Sequence, residues 1–309
     1  MKIKFIIPIV LVLMFSIGLA SATVVNYTVS GNWVAPTGVT SVFVEGWAGG
    51  GAGGGSSSNN QAGAGGAGGQ YVNKTMTVIP GQSYAYTIGY AGAGASGAAG
   101  QAGGNTTFNS SLLFLAVGGA GGAANLGAAG VGSRTYGVGD NVREGGNGAA
   151  GVTSNGGGGG GGAGSTGPGN NASGTTGGAT KADNGGVGGT GTSGVVGGAG
   201  TNYSAGGGGG EFGGGAKAGG AGAEGLLKLT YTAASTCTYG GTGNWVINCA
   251  DACSFSSITS ITGNNNVSTY GTGTLTFNSG GKWTFTGTAQ YVKINSGCTF
   301  AIKSGGGFL

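Results

Sequence analysis

Along the first part of the chain, apolar residues alternate with polar ones in short runs. Residues 25–29, 33–36 and 39–45 each carry the two-residue period of a strand with one buried face, Val42 and Val44 sharing a side of the third. Trp47 closes this block. Strand character returns at 71–79 and 84–88. Between them Ile79-Pro80-Gly81-Gln82 fits a type II turn, because Pro fixes φ at the second position and Gly supplies the positive φ of the third. A short apolar run at 112–117 reads as a buried strand, and 226–231 as the closing one. The intervening tracts, 49–69 and 118–225, are Gly/Ala/Ser-rich without strand alternation. A structureless insertion of that length is improbable inside a compact domain, so the strands and the tracts they bracket are expected to form one domain over 23–232.

Beyond Thr232 the pattern changes. The apolar pairs Leu275/Phe277, Trp283/Phe285, Val292/Ile294 and Phe300/Ile302, then Phe308, recur every 8 or 9 residues. Each is an i, i+2 couple on one strand face, and turn signals such as Asn278-Ser279-Gly280-Gly281 separate them. That spacing predicts short strands coiling as a small β-solenoid-like module over 233–309, with a meander or small sandwich as the other arrangement.

Composition sets a harder question. The 83 glycines lose the most backbone entropy on folding and bring no side chain to bury. Collagen is excluded by the 4 prolines and the missing Gly-X-Y register. Low charge and the bracketing strands speak against disorder. What remains is a bundle of polyproline II helices, close enough to pair backbone groups because no Cβ intervenes. Ala62, Ala64 and Ala67, irregularly spaced among glycines, are then expected to face outward or into gaps.

Lys2 and Lys4 precede an apolar run closing on Ala20-Ser21-Ala22, the form of a secretory signal peptide over 1–22 with cleavage before Thr23. An uncleaved anchor is the alternative. No later segment is apolar enough to span a bilayer, so the mature protein is expected at the cell surface or secreted, without a membrane span. Without Lys2 and Lys4, nine basic residues face seven acidic ones, too little charge for a nucleic-acid partner.

The stretch Trp33-Val34-Ala35-Pro36-Thr37-Gly38-Val39-Thr40-Ser41-Val42-Phe43-Val44-Glu45-Gly46-Trp47, followed by a glycine run, resembles the opening of the glycine-rich domain family of bacterial, archaeal and phage surface proteins. Val78-Ile79-Pro80-Gly81-Gln82 also suits it. The resemblance covers about residues 25–231 and extends to the glycine-rich region of the anaplastic lymphoma kinase ectodomain. It implies an all-β, β-sandwich framework carrying bundled polyglycine helices, and it brings no site residues. More weakly, residues 243–253 resemble cysteine-containing segments of archaeal surface proteins.

All four cysteines, Cys237, Cys249, Cys253 and Cys298, lie in the last module. In an exported chain they read as two disulfides, of three possible connectivities. A four-thiolate zinc site is the alternative, disfavoured by the lack of paired C-x-x-C knuckles. The chain has no histidine, and its carboxylates, Glu45, Asp140, Glu144, Asp183, Glu211, Glu224 and Asp251, are scattered outside any recognisable motif. Gly63-Ala64-Gly65-Gly66-Ala67-Gly68 matches G-x-G-x-x-G as chance allows in so glycine-rich a chain, and Gly215-Ala216-Lys217-Ala218 lacks the Ser/Thr of a P-loop. Neither points to a cofactor. Sequons at Asn26, Asn73, Asn105, Asn109, Asn171, Asn202 and Asn266 are possible glycan acceptors.

These observations lead to a secreted, non-catalytic structural or adhesive protein whose partners are surface glycans or other envelope proteins. A carbohydrate-binding module, stacking sugars on Trp33, Trp47, Tyr136 or Tyr203, is a second reading. Ice binding through Thr274-Leu275-Thr276 and Thr284-Phe285-Thr286 is a third, limited by Lys293 and Ala301 in the following strands.

Overall fold

The computed structural model describes residues 22–132, 137–179, 184–232 and 235–309. The expected signal segment, up to Ser21, lies outside them, as do Tyr136 and Asp183. The fold is all-β in two compact units, one on either side of residues 233–234.

The first unit is a sandwich. Its strands are β1 (Ala22–Tyr27), β2 (Gly31–Val34), β3 (Ser41–Trp47), β4 (Tyr71–Thr77), β5 (Ser83–Thr87), β6 (Thr106–Phe108), β7 (Leu115–Ala116), β8 (Asn141–Arg143) and β9 (Leu226–Thr232). They form two sheets, ordered β1-β9-β3-β4-β8 and β2-β5-β6-β7. Alternation decides the inner face: Val42 and Val44 of β3 and Leu227 and Leu229 of β9 are buried against Trp33, Tyr84 and Phe108 of the other sheet. Trp33 lies 5.9 Å from the rings of Tyr84 and Phe108 and 5.5 Å from Tyr231. Each such side chain contributes roughly 1.5–3 kcal/mol by leaving water. The expected turn is present, with Gly81 at φ 80° and the Gln82 N–H donating to the Ile79 carbonyl at 3.1 Å.

Two strand expectations need correction. The first strand ends at Tyr27, two residues short of expectation. The run 112–117 is a strand only at Leu115–Ala116, because the Ser110 carbonyl accepts from the Leu113 and Phe114 N–H groups and winds the chain into a turn. Phe114 enters the core and Leu112 is left 85% exposed.

The glycine tracts leave the ends of these strands and pack as helices three residues to the turn. Residues 49–55 show the rule, donating in rotation to three neighbours at 2.8–2.9 Å. Gly49, Ala52 and Gly55 bond to Gly104, Gln101 and Ala98; Gly50 and Gly53 to Ala223 and Gly220; Gly51 and Gly54 to Ala67 and Ala64. Their carbonyls accept from three further segments, at Gly119 and Gly122, at Gly207 and Gly210, and at Gly92. A three-residue rotation is the period of polyproline II, and six neighbours around one helix make the packing hexagonal.

Ala64 and Ala67 share one phase of that rotation. Ala64 and Ala67, three apart, are fully buried, as are Ala52 and Ala62, so these methyl groups lie inside the bundle and none faces outward. The glycines beside Ala64 and Ala67 have no such room. A Cβ at Gly65, Gly66 or Gly68 would drive into the backbone carbonyl of Gly158, Gly51 or Gly161.

The second unit is a three-sided parallel solenoid of three coils. The coils are β10 (Trp245–Asn248), β11 (Ser254–Phe255) and β12 (Ile258–Ile261); β13 (Val267–Tyr270), β14 (Gly273–Phe277) and β15 (Lys282–Phe285); and β16 (Val292–Lys293), β17 (Cys298–Ile302) and β18 (Gly307–Phe308). Each side is a three-stranded parallel sheet. Leu275 pairs with Phe300 and Trp283 with Phe308, so three 8- or 9-residue spacings make one coil. Inside, Trp283 meets Phe277 at 4.8 Å and Phe255 at 5.1 Å edge-on, the arrangement that aromatic quadrupoles favour. At one corner asparagine links the coils: Asn244 Oδ1 accepts from the Asn266 N–H, and Asn266 Oδ1 from the Tyr291 N–H.

A substitution separates close packing from mere flexibility. Gly159 is buried, its N–H donates to Gly189 at 2.8 Å, and an added Cβ would enter the Gly206 carbonyl. Gly159→Val is expected to lower the melting temperature sharply, at about 1–3 kcal/mol for each buried N–H it strands. Gly215→Ala, where nothing lies within 4 Å, is expected to change it little, and thermal melts of the full chain compare the two.

Candidate functional site

Two constellations of chemically capable side chains stand out, one in each unit. In the solenoid the four cysteines pair as Cys237–Cys253, with Cα atoms 5.2 Å apart, and Cys249–Cys298, 5.6 Å apart. This is one of the three connectivities the sequence leaves open. The second bridge staples a turn of the first coil to β17 of the third. Cys237, Cys253 and Asp251 offer ligand atoms close together, yet both sulfurs are bound to each other. The Asp251 carboxylate accepts from the Thr236 N–H and hydroxyl, both at 2.7 Å. Metal binding by all four thiolates is incompatible with this pairing.

In the sandwich a polar row crosses the face of the five-stranded sheet away from the core. The register sets Asn26, Lys228, Glu45, Asn73 and Asn141 side by side on β1, β9, β3, β4 and β8. Glu45 is 5% exposed, and its charge is met from two sides. Lys228 Nζ lies 2.8 Å from Oε2, and the Tyr71 hydroxyl donates to Oε1 at 2.9 Å. Asn73 Nδ2 donates to the Tyr71 oxygen at 3.1 Å, and Asn141 donates to Asn73 Oδ1 at 3.0 Å. Burial pushes the Tyr71 phenol well above its ordinary range; the Asn73 bond pulls it down, while the Glu45 charge and hydrogen bond push it up. The next row along the sheet holds Phe43 between Thr75 and Thr230, in a shallow, open, hydroxyl-lined groove.

Asp140 and Glu211 have partners of their own. Asp140 accepts from the Thr75 N–H at 3.0 Å, and Glu211 accepts from the Gly194 N–H. Neither shares a partner with Glu45 or Asp251. Residues 63–68, the G-x-G-x-x-G match, lie inside the bundle without a following helix, and Lys217 pairs through its backbone with Ser56.

Structure separates the seven sequons. Asn26, Asn109 and Asn202 are exposed, the last two at positive φ (61° and 53°). Asn105, Asn171 and Asn266 use Oδ1 to accept from the N–H of Gly118, Asn147 and Tyr291. Asn73 has both amide atoms engaged within the polar row. The Asn26 side chain faces away from the core, so strand packing does not depend on it.

The aromatic candidates for sugar stacking are otherwise employed. Trp33 is in the sandwich core, and Trp47 is fully buried with Tyr71, Leu226 and Ala163, Tyr203 packing against them. Tyr136 lies outside the described residues. The two Thr-x-Thr stretches fall on different sides of the solenoid, in β14 and at β15. Outward columns run Ser254, Thr276, Ala301, then Thr274, Thr299, then Ser260, Thr284, so no threonine column is wider than two strands. The polar row was missed in sequence because its members are far apart in the chain; only the register unites them.

Residues 23–232 match the family model of the glycine-rich domain. No curated protein matches the chain. Among the described residues no helix is long and apolar enough to cross a membrane.

Two predictions follow from this geometry. The Cys249–Cys298 bridge closes 49 residues and Cys237–Cys253 closes 16. From loop-closure entropy, replacing the first pair by serines is expected to cost about 4 kcal/mol and the second about 3 kcal/mol. Urea denaturation of the two double variants measures the order.

The second concerns alkali. Tyr27, Tyr71 and Tyr86 all have raised phenol pKa values, chiefly by burial. The folded chain therefore holds protons that the unfolded chain releases above pH ~10. Stability from this source is complete below that pH and is lost as pH rises toward the folded values. Melts between pH 8 and 11 are expected to show this decline, and Tyr71→Phe to make it shallower while lowering stability at neutral pH.

Proposed function

We propose that this chain, which belongs to the glycine-rich domain family, is an exported, non-catalytic surface protein whose role is structural or adhesive. The observation that carries the reading is the bundle itself. A body ordered by backbone bonds in every direction is stiff without a large side-chain core, which suits a spacer or a presenting scaffold. Two cysteine pairs at disulfide geometry support an oxidising compartment, and the lysine-led apolar run over 1–22 supports export.

The adhesive part of the reading draws on the turns of the bundle. Asn125 holds Ser57, Ala62 bridges Glu211, and Glu211 holds Gly194, gathering these turns at one end. Leu126, Val195 and Val196 are exposed there. Apolar turn residues on a rigid support suit contact with other envelope proteins or with surface glycans.

Cell fractionation with N-terminal and intact-mass analysis tests the reading. Material outside the cytoplasm, beginning at Thr23 and lacking free thiols, is expected. Cytoplasmic protein beginning at Met1 with four free thiols would overturn it.

A further inference from the structure

The polar row brings together three groups that can form an amide bond with no outside reagent. Lys228 of β9 stands directly opposite Asn26 of β1 on one side and Glu45 of β3 on the other. Directly opposed side chains on antiparallel strands have Cβ atoms about 4.5–5.5 Å apart, so the lysine stem spans in either direction. Nζ rests 2.8 Å from Glu45 Oε2, while Tyr71 holds Oε1. On the same face of β3, Phe43 and Trp47 flank Glu45, which keeps water from that carboxylate.

We propose that Lys228 and Asn26 join in an intramolecular isopeptide bond, with Glu45 as the acid–base group and Tyr71 as a positioning residue. The Lys228 ammonium passes one proton to Glu45, leaving a neutral amine beside a neutral carboxylic acid. The amine lone pair attacks Asn26 Cγ, and the negative charge collects on Oδ1. Glu45 gives its proton to Nδ2 and takes one from Nζ. As the Oδ1 charge returns to the carbon, the Cγ–Nδ2 bond breaks and ammonia leaves. Ammonia takes the last proton from Glu45 and departs as ammonium. One C–N bond forms and one breaks, with no oxidation or reduction, and Glu45 ends as the carboxylate it began as.

The structure selects Asn26 over Asn73. Asn73 lies on the far side of Glu45, with Nδ2 on the Tyr71 oxygen and Oδ1 on Asn141. Asn26 is exposed on the edge strand, where its amide is free to turn toward Nζ. The bond would tie the first strand of the domain to the last. Thr23 pairs with Tyr231 at the end of this ladder in the mature chain, and terminal strands are where local opening begins. A cross-link at Asn26 stops β1 from peeling away.

The test is intact mass and peptide mapping of the full chain after reduction of its disulfides. The expected result is a mass short by one ammonia and a branched peptide linking Asn26 to Lys228. Lys228→Arg, which keeps the charge, and Glu45→Gln are both expected to restore the full mass. Asn26→Ala, at an exposed position, does the same and guards against a Glu45 variant that fails to fold. Full mass in the folded parent overturns the proposal. So does an ammonia loss that survives Lys228→Arg, which would mark succinimide at an Asn-Gly step such as Asn155-Gly156. A glycan on Asn26 also overturns it, since the same Nδ2 cannot serve both bonds.

Discussion

The rest of the structure depends on one close approach: backbone against backbone with no Cβ between. An amide N–H in the bundle finds its acceptor on a neighbouring segment, and the donor's neighbour changes with each residue so that three residues complete the circuit. Buried peptide groups must be paired. A helix pairs them within itself and a sheet pairs them in a plane, whereas this bundle pairs them outward in all directions. Glycine makes that geometry possible and pays heavily in chain entropy for it.

The sandwich makes such a bundle practical. Gly-rich segments have little to tell one register from another, and a one-residue slip would place an alanine methyl where only hydrogen fits. Strands on either side of each tract remove the freedom to slip: β3 and β4 are in full register from Ser41–Thr77 to Trp47–Tyr71, and residues 48–70 leave and return from that fixed edge. Trp47, Tyr71 and Leu226 then extend one sheet face under the tracts, packing with Ala163. The solenoid solves its own ordering problem differently, with aromatic stacking inside and two disulfides across its chain.

Much of this was legible in sequence because side-chain periods announce it. Val42/Val44 on β3, the Pro80-Gly81 turn and the pairs Leu275/Phe277 and Trp283/Phe285 each carry a local pattern that the fold obeys, whereas Ile294 lies beyond β16 and Ile302 ends β17, both exposed. What was not legible falls into three kinds. β8, Asn141–Arg143, is short, polar and at a sheet edge, so no period marks it. Ala64 and Ala67 look like interruptions in a glycine run, yet their three-residue spacing is the bundle's own phase. The row of Asn26, Lys228, Glu45 and Asn73 depends on pairings between residues up to about two hundred positions apart in the chain, which only strand register reveals.

The central claim is that the glycine tracts are ordered by paired backbone. Amide hydrogen exchange across residues 156–162 of the native protein tests it most directly, since each of these N–H groups donates to a backbone carbonyl: Gly156 to Thr192, Gly157 to Gly63, Gly158 to Gly174, Gly159 to Gly189, Gly160 to Gly66, Gly161 to Asn170 and Gly162 to Gly186. Protection comparable to that of the β3 amides in the sandwich core is the expected result. Exchange of this run at the unprotected rate, with β3 still protected, would contradict it and leave the tracts as spacers hung from a sandwich.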